Sequence, residues 1–258
     1  MPAPLFISHG APDVLVRNTP AHRAIKALGR RPKPSAYVIV SAHWQSGAVR
    51  ITASERPATI HDFHGFGEEL ERFVYPAPGA PELAENIRSM LAPAGIDAQL
   101  DHRRGLDHGA WVAMGLIRPQ ADIPVIQVSL PRDTDRASLE LGSALAPLAR
   151  QNIQLIGSGA ITHSLADSLP MAEDGPPARF AQAFRTALRP YLQAADIDAV
   201  LTWRDLPQAD RNHPTPEHFR PLLFAMAAAG DQAEDRTAAC LHTSWSRSAL
   251  AMDIWEFG

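Results

Sequence analysis

Residues 36–42 read AYVIVSA, an apolar, β-branched run in which the only polar side chain is a serine near its end. A strand of this kind has no face it can present to water, so both of its faces must be covered. That requirement points to an α/β fold: a mostly parallel central sheet flanked by helices. Residues 4–8 (PLFIS), 49–52, 98–100, 124–129 (PVIQVS), 153–157 (IQLIG), 238–242 and 251–255 are the other expected strands. Between them, residues 21–28, 81–91, 133–148 and 177–194 carry helical patterns. Proline opens 81–91, and Asp or Thr is the expected N-cap of 133–148. Residues 199–203 fit a strand or the end of a helical region, and RRGLDHGAWVAMGLI reads as a turn feeding a helix. Strands alternating with helices, with no repeat or linker, give one domain over residues 1–258.

Composition removes several classes of function. With 24 Lys and Arg against 28 Asp and Glu, and no basic run, a nucleic-acid partner is not expected. No apolar stretch approaches the roughly 20 residues of a membrane span. The start, MPAPLFISHGAPD, lacks the basic and apolar regions of a secretory leader, so a cytoplasmic location is the default expectation. The single cysteine, Cys240, excludes an internal disulfide and a thiolate metal site, leaving nitrogen and oxygen as metal donors. A homo-oligomer is left open, because the aromatic-rich end SWSRSALAMDIWEF could close the sheet or an interface.

Histidine placement carries more information. Of the 11 histidines, His9 and His43 directly follow expected strands, and His163 follows a third through a short SGAIT turn. His213 and His218 lie in the polar turn before an apolar helix. In open α/β sheets ligands bind at the carboxyl ends of strands, so these remote residues can share one edge. Each alone could equally cap a turn or donate to a carbonyl: His9 beside Gly10, His43 beside Trp44. His22 and His102 lie in charged segments, His242 on a closing strand, and His61 and His64 in a long Gly-, Pro- and aromatic-rich loop from residue 59 to 81. That loop carries a short helix, and its residues 59–78 are expected to be mobile and to shape specificity.

The ordered segments SHG (8–10), SAHW (41–44), LDHGAW (106–111), GSG (157–159) with His163, and HPTPEH (213–218) together resemble the class III extradiol ring-cleavage dioxygenases, specifically the 4,5-DOPA dioxygenase-like branch. The resemblance runs from residue 4 to the end of the chain. It implies a non-haem Fe(II) enzyme that opens a catechol ring, such as that of DOPA, with O2 to a muconate-semialdehyde-type product. It implies His9, His43 and His218 as metal ligands, and His163 as a general acid/base and candidate fourth ligand. It gives His108 a catalytic place facing substrate or O2, and Tyr75 a place near the substrate; a packed aromatic is the alternative for Tyr75. His213 is expected to orient the HPTPEH turn. Glu217 is left open as a carboxylate ligand, since two histidines and a carboxylate also hold non-haem iron. The same donors suit Zn(II), which binds such sites more tightly than Fe(II), so purified protein can carry zinc. A zinc hydrolase with a metal-bound water and a non-catalytic binding protein are the competing readings.

Overall fold

The computed structural model describes residues 1–172, 175–230 and 237–258. The strands are β1 (Leu5–Ser8), β2 (Ala36–Ser46), β3 (Val49–Thr52), β4 (Ala98–Asp101), β5 (Val125–Pro131), β6 (Ile153–Gly159), β7 (Ala238–His242), β8 (Trp245–Ser246), β9 (Leu250–Ala251) and β10 (Ile254–Phe257). Eight of them form one sheet in the order β4-β3-β5-β2-β6-β1-β10-β7. Its central strands β5, β2, β6 and β1 all run parallel. Strands β10 and β7 extend it antiparallel at one side, and β3 joins β5 antiparallel at the other.

The helices are α1 (Pro20–Leu28), α2 (Glu68–Glu71), α3 (Pro81–Leu91), α4 (His108–Ile117), α5 (Asp135–Leu145), α6 (Leu165–Ser168), α7 (Arg179–Gln193), α8 (Ile197–Leu201), α9 (Ala209–Asn212) and α10 (Arg220–Ala227). Strand β2 shows why both faces need them. Tyr37 and Ile39 point into a core with Ile25 of α1 and Trp111 and Val112 of α4. Val38 and Val40 point the other way, onto Ile87 and Leu91 of α3, Leu141 and Leu145 of α5, and Phe224 of α10. Alternation sends successive side chains to opposite faces, and here both faces are dry. A third core joins α7, α8 and α10 to β10 through Phe184, Leu188, Val200, Leu222 and Trp255. Among the described residues no helix is long and apolar enough to cross a membrane.

Some boundaries differ from expectation for physical reasons. Helix α5 starts after Thr134, whose hydroxyl accepts from the Ala137 N–H at 3.1 Å. It ends at Leu145 because Pro147 lacks the N–H that an α-helical turn needs, and the chain continues as a 3₁₀ turn over Ala146–Gln151. Residues 199–203 are helical, in α8 and the turn after it. Residues 251–255 divide between β9 and β10, with Asp253 between them accepting the Ser8 N–H at its carbonyl. Strand β2 runs beyond residue 42 to Ser46, but its register against β5 shifts between Ser41 and Gln45. That irregularity contains His43, and it turns the residue out of the ladder toward the strand ends.

Candidate metal centre

Each histidine reaches the centre through a different element. His9 follows β1, and its backbone N–H donates to the Gly159 carbonyl at the end of β6, 3.1 Å away. Gly10 then adopts φ +65°, a left-handed conformation that lets the chain turn away from the sheet at once. His43 sits in the irregular end of β2 and His108 is the first residue of α4. His163 follows the turn after β6, where its N–H donates to the Asn212 carbonyl at 2.9 Å. His218 lies just before α10, and its carbonyl accepts from the Ala160 N–H at 2.8 Å. All five line one cavity of about 240 Å³ at the carboxyl ends of the parallel strands.

Three ring nitrogens converge there. The Nε2 atoms of His43 and His9 are 3.1 Å apart, and those of His218 and His43 are 3.3 Å apart. Nitrogens bound to one ion at about 2.0–2.1 Å stand about 3.0–3.4 Å from each other, depending on the coordination angle, so both pairs have the spacing of donors that share a metal. Donor atoms lie within 4.8 Å of one another in two sets, His9 with His43 and His108, and His163 with Glu217 and His218. The opposite ring edges face outward. His9 Nδ1 lies 3.0 Å from Ser158 Oγ, His218 Nδ1 lies 3.0 Å from Glu217 Oε1, and His43 Nδ1 lies 3.8 Å from Asp62 Oδ2. At hydrogen-bond distance, as for His9 and His218, such partners fix the tautomer and would aim the other nitrogen at a bound ion, whereas Asp62 stands beyond that distance from His43. Glu217 lies against His218 Nδ1 and also accepts from the Thr215 hydroxyl at 2.9 Å, while its carboxylate is within 4.8 Å of donor nitrogens of His163 and His218.

Burial keeps these rings neutral, which a metal ligand requires because a protonated imidazole has no lone pair to give. Loss of water pushes His43 down to about 3, with His108 adding repulsion and Asp62 and Glu217 opposing it. His9 and His218 are lowered well below the usual imidazole range, first by burial and then by their imidazole neighbours. His163 falls to about 4 for the same first reason. Its ring lies flat on His218, with centroids 3.3 Å apart and planes 9° from parallel.

His108 completes the group, its ring centroid 3.9 Å from that of His43. The turn before it is held by a buried carboxylate. Asp107 accepts from Ser41 Oγ at 2.8 Å, from Arg104 at 3.1 Å and from the Gln127 amide. Gly109 is needed beside it, because a Cβ there would collide with Ser41 Oγ and stand 3.1 Å from a His43 ring carbon. Phe63, Phe66, Leu165, Leu250 and Met252 contribute the large apolar side chains of the cavity wall.

Tyr75, expected near the substrate, is not among the cavity residues. It is buried in the core under α4, and its hydroxyl donates to the Arg118 carbonyl at 3.0 Å. Arg118 follows the far end of α4 from His108, about 15 Å along the axis at 1.5 Å per residue. A buried phenol needs an acceptor, and the helix end supplies one away from the cavity. His213 is buried against Phe184, Trp203 and Phe219, and its Nε2 meets the Ile161 carbonyl at 2.9 Å. Burial lowers it to about 4. His61 bonds the Phe73 carbonyl, His22 the Val14 carbonyl and His102 the Ala53 carbonyl. Asp62 carried no signal of its own in the sequence, and Ser158 stood out only as part of the GSG segment. Each acts on a histidine distant in the chain, and no spacing rule links such pairs.

Comparison with known proteins agrees with this geometry. Residues 6–251 match the family described as the catalytic LigB subunit of aromatic ring-opening dioxygenase. The 4,5-DOPA dioxygenase extradiol of Beta vulgaris is 38% identical, over 98% of this chain and 95% of that protein. The Escherichia coli K12 protein of the same name is 36% identical, over 88% of this chain and 85% of its own. The crystal structure of an uncharacterized Escherichia coli K12 protein superposes with a TM-score of 0.82 at 29% identity, covering all of both chains. The chain therefore belongs to the LigB family of class III extradiol dioxygenases and is an extradiol dioxygenase that opens a catechol ring.

Proposed function

We propose that the chain, acting as one catalytic domain over residues 1–258, is an Fe(II)-dependent enzyme that cleaves a DOPA-like catechol outside its two hydroxyls, using O2. The product is of the muconate-semialdehyde type. The observation that carries this reading is the convergence of the His9, His43 and His218 Nε2 atoms, each ring engaged or faced from its outer edge. We assign these three as ligands. A ferrous ion held there would supply the electron density that lets O2 react with a closed-shell catechol, which zinc cannot do.

The protein's own groups do the rest. Phe63, Phe66, Leu250 and Met252 hold an aromatic ring by contact and keep water from it. His163 is placed to take the proton of a catechol hydroxyl and return it later, since a neutral imidazole is a base and its conjugate acid a donor. Its stack on His218 and its nearness to Glu217 also keep it as the candidate fourth ligand. His108 turns a ring nitrogen toward the bound catechol and O2 for hydrogen bonding. We place the chain in the cytoplasm, consistent with its single cysteine.

Anaerobic loading with Fe(II), followed by a panel of catechols in air, tests the reading. O2 uptake with a new visible absorbance is expected for DOPA or a close analogue from iron-loaded protein and not from zinc-loaded protein. Turnover with zinc, or none with iron across the panel, would contradict it.

A further inference from the structure

We propose that Asp62 is a positioning residue for ring opening: it clamps His108 so that the ring's free nitrogen is presented to the reacting catechol. The inference rests on the ring-opening reading above. Asp62 lies in the connection between β3 and α2, 46 residues before His108. Its Oδ1 is 2.7 Å from His108 Nδ1 and also accepts the His108 backbone N–H at 3.2 Å. That N–H is in the first turn of α4, where no partner inside the helix exists. One carboxylate oxygen therefore holds both the backbone and the ring of a single residue, which fixes the ring's rotation as well as its place.

The chemistry of the contact fixes the tautomer. An ionised carboxylate only accepts, so His108 Nδ1 must carry the proton and Nε2 is the nitrogen left for the substrate. Without Asp62 the ring can rotate or exchange tautomers, and the wrong nitrogen meets the catechol. Pinning the loop does not account for this contact, because the loop has other anchors. Ile60 N–H donates to the Leu106 carbonyl at 2.8 Å, Trp111 Nε1 donates to the Ile60 carbonyl at 2.8 Å, and Tyr75 N–H donates to Thr59 Oγ at 2.9 Å. Those bonds hold the segment whether or not Asp62 is present. Both Asp62 and His108 line the cavity, and the second carboxylate oxygen faces His43 Nδ1 from 3.8 Å.

The test compares Asp62→Ala and Asp62→Asn with the wild type in three readouts: steady-state kinetics with Fe(II), metal content, and ¹⁵N-imidazole NMR of zinc-loaded protein. Loss of an orienting partner typically lowers activity about 10–100-fold, so D62A should lower kcat by that factor with KM changed by less than about 3-fold. D62N keeps an oxygen acceptor for both His108 donors, and should recover to within about 5-fold of wild type. One of the Nδ1-protonated histidine signals should be present in wild type and D62N and lost in D62A, with the others and the metal content unchanged. A D62A kcat within about 2-fold of wild type overturns the proposal. So does an unaltered nitrogen spectrum, or a loss of metal that accounts for the lost rate. If wild-type protein cleaves no catechol, the ring-opening reading fails, and the nitrogen spectrum still decides whether Asp62 holds His108.

Discussion

At the scale of single residues, ligand and helper histidines should part company when each is removed. His43→Ala takes away a nitrogen that stands 3.1 Å from His9 Nε2 and 3.3 Å from His218 Nε2, so metal content should fall to near zero. His163→Ala should keep the metal and lower kcat by about 10²–10⁴-fold, the usual span for a general acid/base. Metal analysis beside kinetics checks both, and loss of metal in the second variant would make His163 the fourth ligand. The outer partners act more gently: Ser158→Ala should weaken metal binding by about 10–100-fold in chelator competition. His213 gives the pH dependence. Its pKa is about 4 in the folded chain, first because it is buried, against about 6.5 unfolded. The unfolded chain therefore binds a proton from pH 6.5 downward that the native state refuses until about pH 4. Native stability should fall as pH drops through that window, by about 3 kcal/mol from this group alone. Denaturant titration of metal-free protein should show the fall, and His213→Gln should make it shallower by that amount.

Among the elements, the join between β2 and α4 controls how close the histidines come. Gly109 faces Ser41 Oγ and the His43 ring so closely that Gly109→Ala must push β2 and α4 apart. Overpacking of this kind typically costs about 1–3 kcal/mol, and the strain falls on two cavity histidines at once. A lower melting temperature together with weaker metal binding is expected; a change in melting alone would place the strain elsewhere. The elements themselves were largely legible. The dry run at 36–42 announced a strand covered on both faces, and Val38 with Ile39 shows the two cores it joins. What the pattern did not reveal was the shift in register between Ser41 and Gln45, because an irregularity in pairing depends on the partner strand. Tyr75 stayed open between pocket and core for a related reason: a tyrosine beside a proline reads alike in either, and its bond to the Arg118 carbonyl forms only in the fold.

For the whole molecule, the parallel centre of the sheet gathers the site. Strands β1, β2 and β6 run the same way side by side, so the residues after them meet although 149 positions separate His9 from Ser158. The histidines were legible because they follow apolar runs, and their motifs occur in a fixed order. Asp62 was not, because its link to His108 exists only once the loop folds over the start of α4. The start of the specificity loop is tied down at Thr59, Ile60 and His61. The central claim is that three imidazoles from remote segments hold one ion. Crystals loaded anaerobically with Fe(II) and measured at the iron absorption edge test it directly. A single anomalous peak is expected about 2.0–2.2 Å from the Nε2 atoms of His9, His43 and His218. No peak at that point, or one held by His163 and Glu217 without His9, would contradict it.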